Sequence, residues 1–222
     1  MGYNEMVLSL LIFLPLIGFF IVSFLPKNSE NLIKQVTLGI TLITFITSVP
    51  MFFLFDASNA NMQFVYKVPW IENWGAYYSL GIDGLSLLLV LLTTFTMPLA
   101  VLASWKSIHG SVKGFMISML LLEFGMIGVF VVRDMLLFYV FWEAMLIPMY
   151  LLIGIWGHDD RIKAAVKFFI YTMAGSLLML IAIIYMYFQT SPVMANGVQV
   201  AAHSFDMEAF YSMGIPYEIQ YW

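Results

Sequence analysis

The chain has 222 residues, of which 62% are apolar and 10% charged, where soluble domains carry about 45–50% and 25%. That is the composition of a membrane protein. A net charge of −4 with no basic stripe excludes a nucleic-acid partner, and the absence of cysteine excludes disulfides, thiolate metal sites and a cysteine nucleophile.

The N-terminal MGYNE is acidic. It lacks the basic head of a cleaved signal and the arginines of a transit peptide, so the first apolar run reads as a retained span. A spanning helix needs about 20 predominantly apolar residues. Such runs occupy residues 6–25, 33–55, 82–105, 115–132, 135–156 and 164–188. They are continuous and lack the alternation of barrel strands. The predicted fold is all-α: a polytopic transmembrane bundle of about six helices over residues 1–189. Between the second and third spans, Trp70, Trp74, Tyr77 and Tyr78 form an aromatic belt, and MQFVYKVPW followed by ENWG allows a short β-hairpin. Asp83, in GIDGLS, stands where a helix cap belongs. Residues 190–222 read as an extramembrane tail holding Pro192, Gly197, Asp206, Glu208, Pro216 and Glu218. Its closing YEIQYW is an aromatic cluster that announces a seventh span, which the chain does not contain.

Basic residues set the expected orientation. Lys27 and Lys34 flank the first loop, Lys106 and Lys113 the third, and Arg161 and Lys163 follow the fifth span. Only Lys67 and Arg133 lie on the other side. The first, third and fifth loops are therefore expected in the cytoplasm, with both chain ends in the periplasm of a bacterial inner membrane.

Two acids fall inside spans. A carboxylate at mid-bilayer costs about 2.5–3.5 kcal/mol on insertion scales and is kept where it faces protein or water. Glu123 lies ten residues before Arg133 and Glu143 ten after it. In an antiparallel hairpin both sit about 15 Å from the turn, near the middle of a core about 30 Å thick. If they approach, the pair holds a proton between them and works as a relay. The plainer alternative is a neutral acid hydrogen-bonded to a neighbouring helix. Pro148 offers no N–H to the Ala144 carbonyl, so a kink and a free acceptor are expected one turn from Glu143. Water satisfies such an acceptor, and water beside a carboxylate is what a proton path requires.

Lys167 is the candidate positive partner. Counted from the inner turn it falls about 12 Å short of the depth of Glu143, so it either snorkels to the surface or continues a wet path inward. His158 and Asp159 are placed for proton entry at the inner end of the fifth span, beside Arg161 and Lys163 as interface anchors. No metal cluster, nucleotide loop or nucleophile–base set is visible, so neither a metal nor a cofactor site is expected in this chain. The 17 methionines read as packing.

Three strings, GIDGLSLLLVLLT, FYVFWEAMLIPMYLLIGIWG and RIKAAVKFFIYTMAGSLLML, resemble the proton-pumping, antiporter-like membrane subunits of respiratory complex I, NADH:quinone oxidoreductase. The resemblance runs over most of residues 80–182. It implies a longer bundle of inverted repeats, each carrying a half-channel, of which this chain is the N-terminal part. In that family a glutamate at the broken helix of the first repeat pairs with a lysine on the seventh helix. Glu143 matches the glutamate, Lys167 matches a basic position of the sixth helix, and the seventh-helix lysine has no counterpart. The resemblance further implies proton translocation, with other membrane subunits of complex I as partners. It puts NADH, flavin, iron–sulfur clusters and quinone in those partner subunits and no redox chemistry in this chain. A subunit of a multisubunit cation/proton antiporter shares the same motifs, and a non-conducting scaffold subunit is the alternative from another class.

Overall fold

The computed structural model describes residues 3–195 and 198–215. Six helical segments in it are long and apolar enough to cross a membrane. They are α1 (Tyr3–Phe24), α2 (Glu30–Leu54), α3 (Gly84–Ser104), α4 (Val112–Val131), the pair α5 (Met135–Ala144) and α6 (Leu146–Trp156), and α7 (Arg161–Gln189). The chain is a multi-pass membrane protein. Arg161 and Lys163 open α7, where the sequence suggested a loop. The residues Gly197, Pro216 and Glu218 and the YEIQYW string lie outside the described residues.

The expected hairpin forms between α2 and α3. Strand β1 (Gln63–Ile71) pairs antiparallel with β2 (Ala76–Ile82). The strands turn through Glu72–Trp74 into Gly75, which has φ +61°. A side chain at Gly75 would strike the His203 carbonyl, so the position requires glycine for both backbone and space. Asp83 caps α3 as its position suggests, accepting from the Ser86 N–H at 2.7 Å. That bond holds its carboxyl below the usual carboxylate range.

At the end of the bundle away from the hairpin, basic residues bond to helix termini. The Lys34 ammonium donates to the Trp105 carbonyl at 2.7 Å, and Lys113 donates to the carbonyls of Ser23 and Leu25, both at 2.7 Å. These are the open carbonyls at the C-terminal ends of α3 and α1, where the helix dipole also favours a cation. The Trp156 indole donates to the Gly110 carbonyl at 2.7 Å. Lysines on α2 and α4 thus stitch together the ends of α1 and α3.

At the opposite end the hairpin and the residues after α7 close over the bundle. Strands β3 (Val193–Ala195) and β4 (Val198–Ala201) pair antiparallel, and α8 (Met207–Tyr211) follows. Lys67 pairs with Asp206 and Arg133 with Glu208. The Phe205 N–H donates to Gly75 and the Met135 N–H to Phe205. Tyr187 stacks on Phe205 with ring centroids 4.1 Å apart.

Asp134 sits at the centre of this closure with no exposed surface. It caps α5 by accepting from the N–H groups of Leu136 and Leu137, and accepts from the Tyr77 N–H at 2.8 Å. Burial outweighs those bonds and raises its pKa from 3.8 to about 6. A folded-state value above the unfolded one means that the folded chain binds the proton more tightly. Stability contributed by the protonated form is therefore complete below pH ~4 and is lost as pH rises through ~6. The loss is of order 3 kcal/mol. We expect the melting temperature in detergent to fall between those pH values, and Asp134→Asn to flatten that part of the profile. An unchanged slope in the variant would assign the titration elsewhere.

Candidate functional site

The fifth span is two helices. Met145 separates α5 from α6, and buried Pro148 lies in the first turn of α6. Proline is tolerated there because first-turn N–H groups have no intrahelical partner. It removes the donor that would have reached the Ala144 carbonyl and so fixes the break beside Glu143.

Glu143 is the next-to-last residue of α5 and is half-buried. Its Oε1 is fully enclosed with no hydrogen-bond partner among the described residues. Tyr139, one turn earlier on the same face, interacts with both Glu143 and Ser176 of α7. Ser176 is buried and donates to the Met173 carbonyl at 3.0 Å. The break, the carboxylate, a phenol and a hydroxyl thus form one polar group between α5 and α7. The sequence reading missed Tyr139 and Ser176. The spacing of Tyr139 to Glu143 could have suggested the first, but nothing local marks the second.

Glu123 lies on α4 with no exposed surface, and neither carboxylate oxygen has a partner among the described residues. Helix α4 meets α5 and α6 through glycines. A Cβ at Gly125 would collide with Met145, one at Gly128 with Phe141, and one at Gly114 would touch Trp156 at 3.4 Å. Phe124 packs on Phe141 with centroids 5.2 Å apart. This antiparallel register puts Glu123 opposite Leu146–Ile147, so the two acids lie within about one turn of each other in depth. They do not face each other. Glu123 is two residues from Gly125, five from Gly128 and nine from Gly114. At about 100° per residue it projects roughly 140–180° away from the face they form. The carboxyl points into the α1–α4 bundle, with the body of α4 between it and Glu143.

Lys167 is exposed. It lies nine residues before Ser176, half a turn out of phase and roughly 13 Å away along α7. No pairing with Glu143 forms among the described residues, and the ammonium sits on the uncovered face of α7. His158, Asp159, Arg161 and Lys163 gather with Asp160 at the end of the bundle away from the hairpin and line an open cup of about 650 Å³. Lys163 pairs with Asp160 at 3.2 Å, and Arg161 donates to the Ile155 carbonyl at 2.9 Å.

A carboxylate set at a broken membrane helix is a feature of ion-handling membrane proteins in general. A family model described as NADH:quinone oxidoreductase/Mrp antiporter, TM, matches residues 132–214. NADH-ubiquinone oxidoreductase chain 4 of Arabidopsis thaliana is 46% identical over 82% of this chain and 37% of its own length. NADH-quinone oxidoreductase subunit M of Rhodobacter capsulatus is 47% identical over 81% of this chain and 35% of its own. A chain of respiratory complex I from Thermus thermophilus superposes with a TM-score of 0.76 and 25% identity, over 94% of this chain and 40% of that one. The chain therefore belongs to the antiporter-like subunit M/chain 4 family of complex I. It spans less than two-fifths of the length of the two curated relatives.

Proposed function

We propose that this chain is part of a proton-translocating membrane subunit of NADH:quinone oxidoreductase, with Glu143 as the group that takes up and releases the proton. The observation that carries the reading is the enclosed, unpartnered Oε1 of Glu143 beside the helix break. The carboxyl and the freed Ala144 carbonyl give water two acceptors at one depth. Tyr139 and Ser176 extend the polar group to α7. A positive charge brought near the carboxyl favours its ionised form, and withdrawal favours the protonated one. Lys167 and the cup around His158 and Asp159 are the inner-side candidates for guiding protons.

In this reading the partners are lipid and other membrane subunits of the same complex. NADH, flavin, iron–sulfur clusters and quinone belong to partner subunits, and the electron transfer they carry drives the charge movement. The direct test is coupled proton flux in vesicles carrying the assembled complex with Glu143→Gln. Flux equal to wild type at equal assembly would make Glu143 structural and favour a scaffold role. The matching family model spans both oxidoreductases and Mrp antiporters, which supports a cation/proton antiporter as second reading. Sodium-dependent flux without NADH would select it.

The end of the bundle carrying Lys27, Lys106 and the start of α7 at Arg161 is proposed to face the cytoplasm, with the β-hairpin outside, as in the inner membrane of a bacterium. Asn59, exposed beside the hairpin, provides the check. A cysteine placed there should react with a membrane-impermeant thiol reagent in intact cells. Reaction only after the membrane is breached would invert the orientation.

A further inference from the structure

The apolar core of the α1–α4 bundle is split. One cluster fills the half next to the hairpin and another the half away from it. On α2 the buried stripe between Lys34 and Met51 consists of Thr37, Thr41, Thr44 and Ser48, none with exposed surface. On α3, between Val90 and Val101, it holds Thr93, Thr94, Met97 and Pro98. On α1, buried Pro15 and Gly18 fall between Ile12 and Val22. On α4, Glu123 falls between Leu120 and Ile127.

The layer presents oxygen acceptors. Each α2 hydroxyl donates to a carbonyl of its own helix, at 2.7–3.0 Å. Thr93 does the same on α3, and Ser48 and Thr94 meet across the two helices at 2.8 Å, one of the two hydroxyls giving its single proton to the other. Donors spent inside the helix leave lone pairs facing inward. Pro15 and Pro98 remove the N–H groups that would reach the carbonyls of Leu11 and Thr94. Into this layer projects a carboxyl with both oxygens unpartnered. Acceptors around an acid match a positive occupant.

We propose that the layer is a binding site for one hard monovalent cation, held by oxygen on Glu123 and the α2–α3 hydroxyls and separate from the Glu143 break. The occupant is a proton, carried as O–H on the Glu123 carboxyl and donated to a neighbouring hydroxyl, or a sodium ion coordinated by several of the same oxygens; both need the oxygen acceptors of this layer. Other ionisable groups stand off from it. Helices α1 and α3 carry none between residues 12–22 and 90–101. The nearest is Lys34 of α2, three residues from Thr37 and about 4.5 Å along the helix, with its ammonium turned to the Trp105 carbonyl. Lys113 lies ten residues from Glu123 on α4 and is bonded to the end of α1. Glu143 and Tyr139 lie behind α4.

The test is infrared difference spectroscopy on the assembled complex in lipid vesicles, wild type against Glu123→Gln. The carboxyl signal lost in the variant should titrate with pH. If the occupant is a proton alone, replacing potassium by sodium leaves the midpoint in place. If sodium binds, the replacement moves the midpoint down by about one pH unit or more. A signal unmoved by both pH and sodium would overturn the proposal and leave a permanently occupied structural acid. Should Glu123→Gln fail to assemble, Thr94→Val keeps the shape and removes an acceptor. It should shift the Glu123 midpoint, and an unshifted midpoint overturns the proposal equally. Neither outcome depends on Glu143, so the proposed pumping role stands or falls separately.

Discussion

Glu143→Gln should leave NADH oxidation with an artificial acceptor close to wild type and reduce coupled proton flux by on the order of a hundredfold. The size follows from the usual contribution of a positioned proton-transfer group, about 10²–10⁴-fold. Glutamine keeps the length and hydrogen-bonding reach of the side chain and removes its titration. Insertion should not suffer, because an amide costs the bilayer less than a carboxylate. Glu143→Asp should be milder, since it keeps the titrating group and draws it back one methylene from Tyr139. The geometry adds a condition on Glu123. With the body of α4 between the two acids, substitutions at 123 and 143 should act independently, so a double variant multiplies the single effects. Strong non-additivity in flux would mean that the acids communicate, against the facing directions described above.

What the sequence disclosed and what it withheld divide along physical lines. Spans, the Asp83 cap, the hairpin and the break near Pro148 were all legible, because hydropathy, capping and proline chemistry act within a turn or two of the residue concerned. The similar depth of Glu123 and Glu143 was legible too, since depth is a count of residues from a turn. Facing direction was not. Whether Glu123 looks at α5 or at α2 depends on which face of α4 is slim enough for close approach. The glycines at 114, 125 and 128 decide that only once the partner helix is known. The same holds for Lys167, whose distance from Glu143 in depth was readable but whose outward projection was not. Long-range ties were out of reach. Lys67 and Asp206 are 139 residues apart, and nothing local to Lys34 or Lys113 says that they will close the ends of other helices. Ser176 entered the site for the same reason, through the packing of α7 on α5.

The glycine face of α4 carries the second large effect. A Cβ at Gly128 would stand 2.5 Å from Phe141 Cγ, inside any real contact. Phe141 cannot easily retreat, because it is buried in the core cluster next to the hairpin and packed on Phe124. Overpacking of this kind costs about 1–3 kcal/mol for a single methyl, and Gly128→Leu should cost more and prevent assembly. Gly39 is the control, since a Cβ there meets nothing within 4 Å, and Gly39→Ala should assemble as wild type. Rescue identifies the cause: Phe141→Leu removes the ring, so Gly128→Ala with Phe141→Leu should be more stable than Gly128→Ala alone. The measurements are the yield of assembled complex and its melting temperature. The consequence for function follows from position. Phe141 is two residues before Glu143, and Met145, which Gly125 accommodates, is the break itself. Pushing α5 away from α4 moves the carboxylate that the break is there to place. Gly128→Ala complexes that do assemble should therefore pump less per NADH oxidised than wild type. If they pump normally while melting earlier, the glycine face serves packing alone and the position of the break tolerates displacement.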